Sequence, residues 1–313
     1  MPAFTASAPG KIILFGEHAV VYGQPAIAVP VTQVRAKATV IPNIRGSAGE
    51  VRILAPDVGL DALWSQLSSE NPIGATLQGV QSTLGIEHIP SCTVKITSTI
   101  PVASGLGSGA AVSVAVIRAF AGFLGHPLPD EQVSSIAFDI EKIHHGTPSG
   151  IDNTVVAYAQ PVFFVKGQPV ENFQVGKPFT IVIGDTGIPA PTKESVGDVR
   201  KAWQTNPAQY ERLFAVAGSI ARTARQAIEG GHPERLGPLM KENHALLQTL
   251  VVSSPELDQL VEAAQQAGAL GAKLSGGGRG GNMIALVESE QANLVAKALQ
   301  KAGAVHTITT AVQ

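Results

Sequence analysis

The segment Pro101-Val-Ala-Ser-Gly-Leu-Gly-Ser-Gly-Ala-Ala111 combines residue types that suit anion chemistry. Glycines at 105, 107 and 109 let backbone N–H groups turn towards an anion without a Cβ in the way. The apolar run that follows, Val112 to Ile117, reads as a helix whose positive dipole end would meet the same anion. Nucleotide phosphates are the natural occupant. The segment is not a Walker A loop, because Gly-x-x-x-x-Gly-Lys-Ser/Thr occurs nowhere in the chain. Gly105, Gly107 and Ala110 match the dinucleotide spacing, but that reading requires an acid closing a strand about 20 residues later. The distance lands instead on Leu124 to Glu131, a helix end and a proline-rich turn. A tight turn that packs a helix against a sheet stays open as the alternative.

Two further stretches carry ionisable groups in glycine-punctuated settings. Ala8-Pro-Gly-Lys-Ile-Ile-Leu-Phe-Gly-Glu-His-Ala-Val-Val-Tyr-Gly23 holds Lys11, Glu17 and His18, each of which read alone suits an ordinary structural role. Glu141-Lys-Ile-His-His-Gly-Thr-Pro-Ser-Gly-Ile-Asp-Asn153 places Glu141 at the flank of a helix's apolar face, where it can reach a cleft. Asp152 follows a Pro-Ser-Gly turn, a rigid way to aim a carboxylate; an Asx-type turn is the competing reading. His144 falls near the middle of the apolar stripe, a packing position rather than a metal ligand.

These groups need elements to hold them. Val34, Ala36, Ala38 and Val40 alternate with polar neighbours, as do Val94 and Ile96, and predict half-buried strands. The glycine loop is followed by a helix to about Leu124. Asp130 predicts the N-cap of a second helix with Val133, Ile136, Ala137, Ile140 and Ile143 at helical spacing, stopped at Gly146. Strands are expected over 154–165 and 179–183, helices from about Glu194 to Ala267, a strand at Met283–Val287, a helix near 291–302 and a last strand through Val305, Thr307, Thr309 and Ala311. Helices and strands mix without a regular βαβ alternation, so the class is α+β.

A chain of 313 residues accommodates about two domains. With 44% hydrophobic and 15% charged residues it has the composition of a compact protein. Lys plus Arg total 22 against 24 for Asp plus Glu, so a global nucleic-acid footprint is absent. Cys92 is the only cysteine, which rules out an intrachain disulfide and a cysteine-based zinc cluster. The longest weakly polar run, Gly109 to Gly125, is interrupted by Arg118 and is too short to span a bilayer. No signal peptide is read at the start. An aqueous, reducing, cytoplasmic setting is expected, with no nucleic-acid and no membrane partner.

Taken in order, Pro-Gly-Lys…Gly-Glu-His, Gly-Leu-Gly-Ser-x-Ala-Ala and Lys-Leu-Ser-Gly-Gly-Gly-Arg-Gly-Gly resemble the galactokinase, homoserine kinase, mevalonate kinase and phosphomevalonate kinase (GHMP) superfamily. Gly16 to Ala28 and Gly146 to Asn153 resemble its mevalonate-phosphorylating branch in particular. The resemblance implies a two-domain α+β fold, expected as 1–175 and 176–313, with the active site in the cleft between domains. It implies ATP as cosubstrate, Mg2+ as cofactor, and transfer of a phosphoryl group to mevalonate, giving 5-phosphomevalonate for isoprenoid precursor synthesis. A sister activity, phosphomevalonate kinase or a mevalonate-pathway decarboxylase, is the alternative. Family members are often dimers, so a homodimer is compatible.

Residue by residue, the resemblance makes Asp152 the catalytic carboxylate with Lys11 beside it. It makes Pro101, Ala103, Ser104, Gly105, Leu106, Gly107, Ser108, Gly109 and Ala110 the phosphate-binding segment and Glu141 a metal ligand, with Ser108 or a water expected to fill the second metal-ligand place. Lys11, Glu17, His18, Ser149, Gly150, Asp152 and Thr192 fall near the bound substrate. Three departures stand out: Gly109 replaces the family's usual second serine, a magnesium-coordinating hydroxyl, and Arg279 and Asn282 replace small residues in the third glycine cluster.

Overall fold

A computed structural model describes residues 2–101, 104–145, 148–190 and 192–313. Ala103, Gly146 and the side chain of His144 lie outside that description. Among the described residues the strands are β1 (Phe4–Phe15), β2 (Ala26–Pro42), β3 (Val51–Ala55), β4 (Leu60–Leu63), β5 (Cys92–Ser98), β6 (Val162–Phe164), β7 (Glu171–Asn172), β8 (Phe179–Asp185), β9 (Gly271–Ser275), β10 (Asn282–Val287) and β11 (His306–Val312). The helices are α1 (Pro72–Leu84), α2 (Ser108–Phe123), α3 (Asp130–His145), α4 (Ile151–Tyr158), α5 (Thr192–Thr205), α6 (Pro207–Glu229), α7 (Leu236–Thr249), α8 (Pro255–Gln266) and α9 (Ala292–Lys301). The mixture is α+β, as the sequence predicts.

The chain divides into two interleaved units. The first comprises Met1–Gly10, Val34–Pro101 and Gly107–Ala159; the second comprises Lys11–Gln33, Val102–Leu106 and Gln160–Gln313. The boundary expected after residue 175 therefore falls inside the second unit. Strand β2, 17 residues long, contributes its start to the second unit and the rest to the first.

In the first unit, Ala36–Pro42 of β2 runs antiparallel to β5, β3 lies parallel to β5, and β4 closes antiparallel on β3. Ala36, Ala38, Val40, Val94 and Ile96 are buried, as their alternation requires. Helix α2 is buried almost all round, which is why its sequence is apolar on every face. Gly79 of α1 lets the methyl of Ile136 on α3 approach within 2.9 Å of where a Cβ would stand. Arg118 of α2 ties three helices together: its guanidinium donates to Asp130 of α3 and to the Ala157 carbonyl of α4, each at 2.5 Å. Asp130 is thus the first residue of α3, with its carboxylate turned to a neighbouring helix.

One expected element differs. The stretch 154–165 is not a single strand: Ile151–Tyr158 is helical and only Val162–Phe164 is extended. Gly150 enters α4 at φ 91°, and the Thr154 hydroxyl donates back to the Gly150 carbonyl at 2.7 Å. Asn153 donates to the Ser134 carbonyl and hydroxyl on α3. Packing and these bonds override the β-branched preference of Thr154, Val155 and Val156.

In the second unit the sheet order is β11-β8-β10-β9, antiparallel throughout. Strands β9 and β10 are buried along their whole length, and apart from Lys273, Ser275 and Asn282 their residues are apolar. Helices α7 to α9 cover this sheet, with Leu247, Leu257, Leu260, Val295 and Leu299 packing against Val182, Leu274, Met283 and Ala285. The Gly237 and Gly271 backbones meet: a Cβ on Gly271 would stand 2.3 Å from the Gly237 carbonyl oxygen. In β11 the expected extended run is present, but Thr310 and Val312 are its buried residues, while Thr309 and Ala311 face outward.

Candidate active site

The glycine loop has the geometry an anion site needs. Gly105 and Gly107 adopt φ 79° and 72°, the left-handed region where glycine is favoured. Helix α2 starts immediately after Gly107, with Ser108 half-buried and Gly109 exposed in its first turn. Four N–H groups at such a helix end lack intrahelical partners and point the same way. The Lys11 N–H donates to the Leu106 carbonyl at 2.9 Å, which fixes β1 against the loop. Ser104 and Leu106 are buried, Gly105 is exposed, and Pro101 is half-buried.

The first unit also carries Glu141, half-buried on α3, and Asp152, half-buried in the first turn of α4. An ionised carboxylate at that end of a helix is favoured by the dipole. Ser149 accepts the Ile151 N–H through its hydroxyl at 3.3 Å, so Ser149 and the buried Gly150 shape the turn that aims Asp152.

The second unit assembles the remaining polar residues around its glycine cluster. Lys11 is 5% exposed, at the buried end of β1. Glu17, fully enclosed, accepts from the ammonium of Lys273, which is itself 0% exposed and also donates to the Leu274 carbonyl at 2.6 Å. A lysine in the otherwise apolar Gly271–Ser275 strand is the sequence signal for this pair; its partner 256 residues away is not legible. His18 has φ 61°, and its Nε2 lies 3.1 Å from the Gly277 carbonyl. A carbonyl only accepts, so Nε2 carries the proton, and Nδ1 finds no hydrogen-bond partner among the described residues. Thr192 is exposed at the start of α5, with its hydroxyl 2.6 Å from where a Cβ on Gly277 would stand.

The rest of the cluster is equally tied. Asn282 donates to the Ser104 carbonyl, linking β10 to the phosphate segment. Thr186 donates its hydroxyl proton to the Gly281 carbonyl at 2.9 Å. Ser275 donates to the Ile13 carbonyl of β1 at 2.7 Å. Arg279, at φ 57°, pairs with Asp198 at 2.7 Å and donates to the Val251 carbonyl. Both unusual residues of this cluster are therefore structural ties in the described geometry: Asn282 to the phosphate segment, Arg279 to α5 and the turn after α7.

Burial pushes the His18 pKa down to about 4; the bond to Gly277 opposes that shift and the charge of Arg279 adds to it. The ring is neutral at ordinary pH. Above the unfolded value of 6.5 both folded and unfolded chains carry it neutral, and its titration does not affect stability. As pH falls below 6.5 the unfolded chain takes up a proton that the folded chain refuses, so stability is lost until about pH 4. The loss between pH 7 and 4.5 should be on the order of 2–3 kcal/mol from this group. Urea unfolding of the wild type and His18→Gln at both values checks it: the variant should lose less, and an identical loss in both would contradict the assignment.

A family model for the GHMP kinases N terminal domain matches residues 71–160, and one for the GHMP kinases C terminal matches 224–305. A mevalonate kinase of Thermococcus sibiricus is 39% identical over 320 residues, covering 97% of this chain and 95% of its own length. The chain belongs to the GHMP kinases. A mevalonate kinase of Pyrococcus furiosus is 38% identical with the same coverage. Among solved structures, L. major mevalonate kinase in complex with R-mevalonate superimposes with a TM-score of 0.83 at 31% identity, covering 99% of this chain and 95% of that one. This GHMP kinase is accordingly a phosphotransferase that uses ATP. No helix among its described residues is long and apolar enough to cross a membrane.

Proposed function

We propose that this GHMP kinase transfers the γ-phosphoryl group of ATP to the C5 hydroxyl of mevalonate, giving 5-phosphomevalonate and ADP for isoprenoid precursor synthesis. The observation that carries the reading is near-full-length similarity, at 36–39% identity, to several archaeal relatives named mevalonate kinase. Likeness to a structure holding R-mevalonate supports it.

Phosphoryl transfer to an alcohol asks for positioning, charge neutralisation and a path for the hydroxyl proton. In this reading the segment from Pro101 through Ala110 holds the phosphates with backbone N–H groups and the α2 dipole. Asp152 takes or orients the proton of the attacking hydroxyl. The Lys11 ammonium stabilises negative charge developing on the reacting oxygens. His18, Ser149, Gly150 and Thr192 border mevalonate, and Glu17 belongs to the same substrate-side turn. A cytoplasmic location fits the polar substrates and the lone, buried Cys92.

Magnesium fits the donor set. Ser108 and Glu141 offer a hydroxyl and a carboxylate, the hard oxygen ligands this ion prefers, with waters and phosphate oxygens completing its shell. No group of three or more His, Cys, Asp or Glu that could hold a metal occurs among the described residues. When bound, the ion neutralises charge on the β- and γ-phosphates. A Cβ on Gly109 would meet no atom within 4 Å, and this glycine has no positive φ. Gly109→Ser should therefore fold normally and lower the half-saturating magnesium concentration by supplying a further hydroxyl. A magnesium titration of ADP release checks this, and an unchanged midpoint would contradict it.

The substrate is tested by following ADP release from Mg-ATP with mevalonate, phosphomevalonate, galactose and homoserine in parallel. Turnover with mevalonate alone is expected. Turnover with another alcohol, and none with mevalonate, would overturn the substrate assignment while leaving the family intact.

A further inference from the structure

We infer that Lys273 is a positioning residue for phosphoryl transfer, acting through Glu17 to fix the Gly16–His18 turn. The inference rests on the reading above that this turn borders the phosphoryl acceptor. Lys273 is the one ionisable side chain of β9, and it is among the largest fully enclosed side chains in the protein. Its ammonium is held by the Glu17 carboxylate and the Leu274 carbonyl, and it stands 5.9 Å from the centre of the Phe15 ring. Burial lowers its pKa, and the Glu17 charge opposes that shift.

A fully enclosed ion pair is weak evidence for stability, because desolvation of both charges offsets their attraction. A role in fixing geometry accounts for it better here. The turn it grips is unusual: Gly16 has φ 94° with its Cα packed against Pro25 and Ala26, so that a Cβ would stand 2.4 Å from the Pro25 carbonyl oxygen. His18 follows at φ 61°, a conformation uncommon for a side chain larger than glycine. Besides the local backbone bonds, the side chains of this turn are anchored by the Lys273 ammonium on Glu17 and the Gly277 carbonyl on His18.

The far side of the pair is anchored as well. The Leu274 N–H donates to His244 Nδ1 at 3.3 Å, and His244 Nε2 lies 3.1 Å from Asp258 on α8. Strand β9 thus connects the helical layer to the Glu17–His18 turn, and Lys273 is the link that reaches the turn by side chain. Of Glu17's two carboxylate oxygens, Oε1 is taken by Lys273, and Oε2 finds no hydrogen-bond partner among the described residues.

The test is a double-mutant cycle on steady-state constants of the full chain, with Glu17→Gln, Lys273→Met and the double variant. If Lys273 acts through Glu17, each single variant raises the KM for mevalonate about 10-fold, leaves the KM for ATP within about 2-fold, and the double variant matches the singles instead of compounding to about 100-fold. A purely structural pair would lower the melting temperature of both singles and restore it in the double, with the KM for mevalonate unmoved throughout; that result overturns the inference, as does an additive double. Should Lys273→Met fail to fold, the charge-free double is compared with Glu17→Gln: equal values of the KM for mevalonate support the inference, and a further 10-fold rise in the double contradicts it. Wild-type turnover with mevalonate is measured first, so its absence would remove the substrate reading separately.

Discussion

Asp152→Asn should reduce turnover by about 10²–10⁴-fold, the range that a positioned acid–base group contributes. Nucleotide affinity should stay close to that of the wild type. The substitution keeps the shape of the side chain and removes its charge and basicity. In the fold, Asp152 occupies the first turn of α4, entered through Ser149 and Gly150; Thr154 closes that turn onto the Gly150 carbonyl, and Asn153 and Arg118 fix the helix to α3 and α2. The helix should survive, since loss of a charge near its start costs about 0.3–1 kcal/mol. Phosphate binding in the proposed site belongs to the glycine loop and the α2 terminus. The comparison is kcat against the dissociation constant of an ATP analogue. Near-normal kcat in the variant would remove Asp152 from the chemistry; a matching loss of nucleotide affinity would make it a binding residue instead.

Gly278→Ala should be the most destabilising single methyl addition in the glycine cluster, on the order of 3–5 kcal/mol. Gly278 has φ 73°, and a Cβ there would stand 1.9 Å from the Val252 carbonyl oxygen, the same oxygen that accepts the Arg279 N–H at 2.9 Å. Neither backbone can move freely, because Arg279 also reaches Val251, which itself has φ 59°. Gly276→Ala is the control: it shares the positive φ, at 89°, but its Cβ would meet nothing within 4 Å. Only conformational strain of about 1–2 kcal/mol applies there. Urea unfolding midpoints of both variants separate the two contributions, and equal losses would show that the close approach to Val252 does not matter.

The second prediction also bears on activity. The 276–281 cluster meets Thr192 and the His18 ring, while neighbouring Asn282 holds the Ser104 carbonyl. In the sequence this cluster stands out only as one of the motifs that carry the family resemblance. Its supporting bonds come from residues whose partners lie far along the chain, 178 positions away for Asn282 and 259 for His18. Local pattern carries no record of such pairings. By contrast, the alternation in β2 and β5 and the glycines at 105 and 107 are governed by sterics within a few residues, and the structure repeats them as read.

The misread stretch makes the same point from the other side. Thr154, Val155 and Val156 favour a strand locally, yet they lie buried in α4 against neighbouring helices. The interleaved units escape a linear reading because one strand, β2, serves both. Glu17 and Lys273 are each visible in sequence as charged residues in apolar surroundings. Only the fold reveals that they neutralise each other.

The central claim, phosphoryl transfer from ATP to the C5 oxygen of mevalonate, is tested most directly by product analysis. The purified chain is incubated with Mg-ATP labelled at the γ-phosphate and R-mevalonate, and ADP and the labelled ester are quantified together. The account predicts equimolar ADP and 5-phosphomevalonate, with label on the C5 oxygen and negligible ADP when mevalonate is omitted. ADP formed at the same rate without mevalonate, or no labelled ester when it is present, would contradict it.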